Sequence, residues 1–334
     1  MDLYGTSYLG LQTHPEYLRI LQENLQQYGV NNPMSRNNAG VFKVLERAET
    51  SLMEEWESEE ACLLPNGFQA GQAVLAVCRD LDCPIYAQAD GHPCYLPNVL
   101  ADTSSSVALD RFGLIFDAVD PFTGLSNWMQ KTSLELVHRA DFKALDVSHV
   151  AGVWPSQDLI KHLNPERSPL TLYFGSLAKA SAFPAGFVAG PRKIIRQIRA
   201  LPQFTASSPP ANYLAASFLD STLLRSRLKG ELSRIMKEVR RRLKLPDDPW
   251  AFPSFLLKTP NNSELSMLEA QGIHISALAY PSTHSPVRYR CVLNAMLSAT
   301  ELEQILKHLG HLVEHPLSSS QIQWSSISNR PEIT

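Results

Sequence analysis

The sequence has no excess of positive charge, no long apolar run and no ordered set of cysteines. Its 30 Lys and Arg residues stand against 33 Asp and Glu, a formal net charge of −3. A nucleic-acid binder would carry a basic stripe. The nearest thing to one, "KEVRRRLK" over Lys237–Lys244, has helical spacing and reads as a solvated helix face. No segment is apolar for long enough to cross a bilayer as a helix, so neither nucleic acid nor membrane is an expected partner. The opening "MDLYGTSYLGLQTHPEYL" lacks the basic start and apolar stretch of a secretory signal. The five cysteines, Cys62, Cys78, Cys83, Cys94 and Cys291, are odd in number and have neither zinc-ligand nor disulfide-framework spacing. Free thiols in a reducing compartment, and hence a cytoplasmic location with no structural metal, are the expectation. There is no internal repeat, no low-complexity tract, no P-loop and no glycine-rich dinucleotide fingerprint, which argues against a nucleotide-binding enzyme.

What is present is a chain built to fold. Of 334 residues, 44% are hydrophobic and 19% charged, enough for a sizeable core and too long for one minimal domain. "THPEYLRILQENLQQYG" has helical periodicity, with Thr13 expected as its N-cap and Gly29 at its end; "GVFKVLERAETSLMEEWES" is a second amphipathic helix. "EACLLPNGFQAGQAVLAVCRDL" reads as a strand, a Pro-Asn-Gly turn and a helix. "PIYAQAD", "SSVALD", "GLIFDAV", "FKALDV" and "LTLYFG" are strand-like, with helical stretches such as "LSNWMQKTSLELVHRA" between several of them. This alternation implies an α/β fold with a mostly parallel sheet covered on both faces. After "SSPPANYLAASFLDS" the texture changes to a long charged helix, then strand, helix, strand, helix, a smaller α+β lobe. The tail after Pro316, rich in Ser, Asn and Gln, is expected to be loosely ordered. The expected layout is an N-terminal segment 1–36 packing with the small domain, a large domain 37–222, a small domain 223–316 and a tail 317–334.

One segment poses a chemical problem. "LTLYFGSLAKASAFPAGFVAG", Leu170–Gly190, is small and apolar, with Lys179 in its middle. A buried ammonium is costly unless paired, neutralised or used; a snorkelling surface lysine is the plain alternative. Three further polar groups follow predicted strands: His92 after "YAQADG", and Asp146 and His149 in "ALDVSH". Each alone reads as a cap or a surface residue. Together, at the strand ends where open α/β sheets place ligands, they match what pyridoxal 5′-phosphate requires. That cofactor needs a lysine for the Schiff base, a carboxylate for the pyridine nitrogen and a flat group over the ring. It also needs backbone N–H groups at a helix N-terminus for the phosphate, and Gly67 and Phe68 open a predicted helix in "LPNGFQAGQAVL".

With these motifs in hand the chain resembles the α-oxoamine synthases, pyridoxal-phosphate enzymes of the aspartate-aminotransferase fold (fold type I). The resemblance spans nearly the whole chain and rests on ordered segments: "YLGLQTHPEYL", "YGVNNPMSRNNAGVFKVLERAETSL", "NGFQAGQAVL", "DGHPCYL", "DVSHVAGV", "GSLAKA" with "AGFVAG", "SSPPA" and "VRYRCVLNA". It implies a seven-stranded large-domain sheet between helices and a homodimer with shared active sites. It implies that Lys179 forms the Schiff base and moves protons at the substrate α-carbon. Asp146 would pair with the pyridine nitrogen, His149 would bond the ring oxygen and His92 would stack on the ring. Gly67 and Phe68 would bind phosphate, with Asn66 in the same loop and Ser176 through its hydroxyl. Ser207, in "TASSPP", would reach the partner subunit's phosphate. Arg290, with Tyr8 and Ser35, would contact the substrate, Arg290 by gripping the amino-acid carboxylate.

The chain also departs from the family pattern. Ala178 stands where a phosphate-binding hydroxyl is usual and Asn66 replaces a serine. The asparagines expected before Tyr8 are missing. "DAVDPFTG" has Asp117 for a glutamate and Pro121 for a serine. The chain starts later than a typical member, so contacts from a leader are not expected. The reading is an acyltransferase of the 8-amino-7-oxononanoate synthase type, joining a small amino acid to an acyl-CoA or acyl-carrier thioester. Amino transfer or side-chain cleavage on the same fold, and a non-catalytic relative, are the alternatives.

Overall fold

The computed structural model describes residues 1–36, 43–89, 91–95, 111–164, 170–245, 248, 250–279, 284–314 and 324–327. Its strands are β1 (Asp2–Leu3), β2 (Glu60–Leu64), β3 (Ile85–Gln88), β4 (Gly113–Asp117), β5 (Phe142–Asp146), β6 (Thr171–Ser176), β7 (Gly186–Gly190), β8 (Ser254–Leu257), β9 (His274–Ala279), β10 (Val287–Val292) and β11 (Trp324–Ser326). Its α-helices are α1 (Pro15–Tyr28), α2 (Lys43–Glu55), α3 (Gly67–Arg79), α4 (Lys131–Arg139), α5 (Ser156–Leu163), α6 (Arg192–Ala200), α7 (Pro202–Thr205), α8 (Asn212–Asp220), α9 (Thr222–Arg242), α10 (Asn262–Ala270) and α11 (Ala299–Leu309).

Seven strands form the large sheet in the order β11-β3-β4-β5-β6-β7-β2. Neighbours β3 to β6 pair in parallel; β7 is antiparallel to both β6 and β2, so β2 runs with the central four. The mostly parallel sheet expected from the βα alternation is therefore present. Strand β5 is buried along its whole length, as expected for a parallel strand covered on both faces. Two apolar clusters fill the two faces: Ala144, Phe174 and Val188 lie in one, Leu145, Tyr173 and Phe187 in the other. The smaller sheet, β1-β9-β10-β8, carries α10 and α11, both opened by capping boxes at Asn261 and Ser298.

Three details differ from the sequence-based expectation. His14, not Thr13, caps α1: its Nδ1 accepts from the Glu16 N–H at 3.2 Å, while Thr13 ends a short 3₁₀ turn. Pro15 occupies the first helical position, where its missing N–H costs nothing. The tail does not stay loose throughout, because Trp324–Ser326 adds an antiparallel edge to β3 and the Trp324 ring meets Phe116 edge-on at 5.8 Å. The strand-like "SSVALD" lies outside the described residues. Strand β7 was not anticipated, as "GFVAG" is short and bounded by glycine.

Candidate active site

Parallel pairing brings the C-terminal ends of β3 to β6 side by side. Asp117 at the end of β4 is in register with Asp146 at the end of β5. A cleft opens there, with a cavity volume of about 60 Å³, and His92, Asp117, Asp146, His149 and Lys179 all line it. Four groups picked out singly along the sequence thus converge on one site.

Lys179 is half-buried in a turn just beyond β6. Burial pushes its ammonium below the ordinary lysine range; the charges of Asp146 and Asp117 oppose that shift and Arg290 adds to it. The result is an amine nearer to the neutral, nucleophilic form. Asp146 is 7% exposed and its Oδ1 accepts the Ser148 N–H at 2.8 Å, which fixes the carboxylate's orientation. Burial drives His149 well below the ordinary histidine range, reinforced by Lys179 and Arg290. The Tyr8 hydroxyl lies 2.6 Å from His149 Nδ1. Burial raises the Tyr8 pKa, so its hydroxyl stays protonated and shares a hydrogen bond with Nδ1 of a neutral His149 ring. His92 is also lowered by burial, and its Nδ1 accepts the Cys94 N–H at 3.1 Å.

The helix that should receive a phosphate is seated against the same strand ends. A Cβ on Gly67 would stand 2.5 Å from the Ser176 Cβ and 2.9 Å from its Cα, so only glycine lets α3 begin this close to β6. The Asn66 side chain accepts the Gln69 N–H at 2.9 Å, so asparagine performs the capping that serine would. The first N–H groups of the helix, those of Gly67 and Phe68, have no partner within the helix and carry its positive dipole end. The Phe68 side chain is exposed, so its contribution here is its backbone. Ser176 Oγ accepts the Ala178 N–H at 3.3 Å, next to the position that lacks a hydroxyl.

The remaining sequence candidates have other surroundings. Arg290 is 6% exposed; its Nη1 donates to the Pro121 carbonyl at 3.1 Å and its guanidinium lies 5.0 Å from the Phe122 ring centre. Its charge bears on Lys179, His149 and Tyr8, but it is not among the residues that line the cleft. Pro121, which stands where a serine was expected, contributes its carbonyl, which also accepts from Ser254 Oγ at 2.8 Å. Ser207 follows α7 and donates its hydroxyl to the Gln203 carbonyl. Ser35 is half-buried beside Arg36, which is bound to Glu49 at 2.8 and 3.1 Å. Neither serine lines the cleft.

Sequence reasoning passed over several groups in the site. Asp117 Oδ1 accepts the Tyr95 hydroxyl at 2.7 Å and its N–H donates to Gln88 Oε1 at 3.1 Å, which employs the shorter carboxylate found in place of glutamate. The signal was available, since Asp117 ends a strand as Asp146 does. Cys94 sits with its thiol 3.9 Å from Asp146 Oδ2. Donor atoms of His92, Cys94 and Asp146 lie within 4.8 Å of one another, a set that soft metals accept. Arg288, half-buried, also lines the cleft, and no sequence pattern separated it from the other arginines.

A half-buried lysine among two carboxylates and two histidines lies at the strand ends of this sheet, beside a glycine-opened helix, and the fold is that of the pyridoxal-phosphate transferases. The chain belongs to the aminotransferase class I and II family, whose model matches residues 142–309. It is 25% identical to human erythroid-specific mitochondrial 5-aminolevulinate synthase over 83% of its length. It is 22% identical to 8-amino-7-oxononanoate synthase 1 of Bacillus subtilis over 63% of this chain and 59% of that one. The chain spans about half the length (53%) of the 5-aminolevulinate synthase. In three dimensions it resembles Sphingomonas wittichii serine palmitoyltransferase, with a TM-score of 0.74 at 15% identity, covering 93% of this chain and 86% of that one. These relatives are α-oxoamine synthases and the cofactor of the fold is pyridoxal phosphate.

Proposed function

We propose that the protein is a pyridoxal-phosphate-dependent acyltransferase that joins a small amino acid to an acyl thioester. The observation that carries this reading is the convergence of Lys179, Asp146, His92 and His149 on one cleft. Bound there, the cofactor supplies an electron sink for negative charge at the substrate α-carbon. The protein's own groups do the rest. Lys179, its basicity reduced by burial, holds the cofactor and then takes and returns the α-proton. Asp146, oriented by the Ser148 N–H, serves the pyridine nitrogen. His149 bonds the ring oxygen, and His92 covers the ring. Gly67 and Phe68 present backbone N–H groups to the phosphate, with Ser176 adjacent. Arg290 holds the α-carboxylate, and Tyr8 fixes His149 from behind.

The same reading makes the protein a homodimer in the cytoplasm, with Ser207 serving the partner's site. A condensation of the 8-amino-7-oxononanoate synthase type is the particular form we favour. Amino transfer on the same groups is the second reading, favoured by the loss of synthase-type residues around Pro121 and Tyr8. The test is a visible spectrum of the purified protein with added pyridoxal phosphate, then borohydride reduction and peptide mapping. A reduced adduct on the Lys179 peptide, absent in Lys179→Ala, supports the cofactor assignment. Turnover that requires the thioester supports condensation; turnover with a 2-oxo acid in its place favours amino transfer. No adduct at saturating cofactor overturns both.

A further inference from the structure

A second cavity, of about 360 Å³, lies outside the strand-end cleft and shares no residue with it. That volume falls in the range of small-molecule sites. Three parts of the chain wall it: the turn 153–155 after β5, one face of α9, and the segment leading into β8. On α9 the lining residues recur every three or four positions, the spacing of a single helix face. That face has two edges. Leu232 and Met236 are buried, and with Trp154 they make an apolar floor. Ser233 and Lys237 are exposed and form a polar rim. The walls are tied together: Lys229 Nζ donates to the Trp154 carbonyl at 2.8 Å, and Trp154 Nε1 donates to the Ala251 carbonyl at 3.2 Å.

The lining carries an excess of positive charge. Lys229, Lys237 and Arg240 face one acid, Asp248, which Arg240 meets at 4.0 Å. Glu55 and Asp158 bear on Lys229 from outside the lining. The glutamates of α9 beside this face are engaged elsewhere, Glu231 with Arg234 at 3.0 Å and Glu238 with Arg241 at 2.7 Å. Among the described residues Lys237 has no hydrogen-bonded or ion-paired partner. An aromatic and aliphatic floor beneath a cationic rim suits a ligand with an apolar body and an anionic end. We propose that this cavity binds a small amphipathic carboxylate, its alkyl chain on Trp154, Leu232 and Met236 and its anionic end on Lys237 and Arg240. The site shares no group with the chemistry assigned to the strand-end cleft, and it stands whether or not that functional reading holds.

Octanoate, octanol, butyrate and inorganic phosphate are titrated by calorimetry into wild type, Lys237→Gln and Ser233→Phe. Both substituted side chains are exposed, so the fold is kept. The carboxylate should give octanoate an advantage of about tenfold over octanol, the value of a charged hydrogen bond. The longer chain should favour octanoate over butyrate by about tenfold or more. Phosphate, which has no apolar body, should not bind measurably. Lys237→Gln should weaken octanoate by about fivefold, the upper value of an exposed ion pair, and leave octanol unchanged. Ser233→Phe crowds the rim and should weaken both. Equal binding of octanol and octanoate to wild type, phosphate binding as tight as that of octanoate, or octanoate binding unchanged in either variant overturns the proposal. The titration is then repeated with saturating pyridoxal phosphate, which should leave octanoate binding in place. Mutual exclusion of the two would assign octanoate to the strand-end cleft and overturn the proposal.

Discussion

Two lysines, one buried and one half-buried, sit at opposite ends of the same part of the sheet, and only one of them faces a cleft. Lys143, near the start of β5, is 1% exposed; its Nζ donates to Asn164 Oδ1 at 3.1 Å. Asn164 in turn donates to Thr171 Oγ1 at 2.9 Å and to the Tyr173 hydroxyl at 3.4 Å. Burial pulls Lys143 down to about 8. Lys179, beyond the end of β6, is lowered by the same cause. Burial alone therefore does not mark a reactive amine. The two lysines differ in their neighbours and in access. Lys143 is held by the Asn164 amide inside the protein, with Asp141 opposing its shift, whereas Lys179 faces carboxylates across open space. A perturbed amine is a candidate for chemistry only when a substrate can reach it.

The comparison can be broken most sharply by exchange of roles. Lys179→Ala should abolish the borohydride-trapped adduct outright while Lys143→Met retains it, as read by peptide mass mapping. An adduct on the Lys143 peptide would reverse the assignment. Asp146→Asn should weaken pyridoxal phosphate binding by about 10- to 100-fold, the value of a charged hydrogen bond, as measured by fluorescence titration. Gly67→Ala forces a methyl into the Ser176 backbone and should destabilise the fold by about 1–3 kcal/mol, the usual cost of overpacking, as seen in urea unfolding.

The interior lysine makes a pH signature of its own. Folded Lys143 titrates near 8, while an unfolded lysine keeps its ordinary value of 10.5. Between those values the unfolded chain binds more protons than the folded one, so stability rises as pH climbs through the window. The urea midpoint of wild type should rise relative to Lys143→Met between pH 8 and 10.5; a flat difference would mean that the folded amine keeps its charge through the window. The smallest effect belongs to a site remote from both lysines. Ser298→Ala removes the cap of α11, whose Oγ accepts the Glu301 N–H at 3.2 Å, and should cost about 1 kcal/mol without changing cofactor binding.

Much of the site was legible because its groups sit at strand ends with local signatures. The Pro65-Asn66-Gly67 turn announces the strand–helix junction by backbone chemistry alone, and Lys179 and Asp146 interrupt apolar runs. The βα alternation predicted the central parallel strands for the same reason. What sequence could not give depends on pairing over long distances. The Asp117–Tyr95 bond spans 22 positions, and the place of Arg288 on the cleft wall depends on the face that β10 turns toward Phe122. Strand β11 was missed because its polar surroundings carry no strand period, and only the edge of β3 gives it a partner. The His14 cap was missed because serine and threonine are the commoner caps and a histidine nitrogen does the same work here.

The opening residues act as a tie between the small sheet and the cleft. Asp2 and Leu3 pair with His274 and Ile275 of β9, the Tyr8 carbonyl accepts the Ala295 N–H at 2.9 Å, and the Tyr8 hydroxyl reaches His149. Six residues after Asp2, the segment that pairs with the small sheet thus supplies the hydroxyl bonded to a cleft histidine. The small sheet and the cleft are therefore held by one continuous tether of seven residues, from Asp2 to Tyr8.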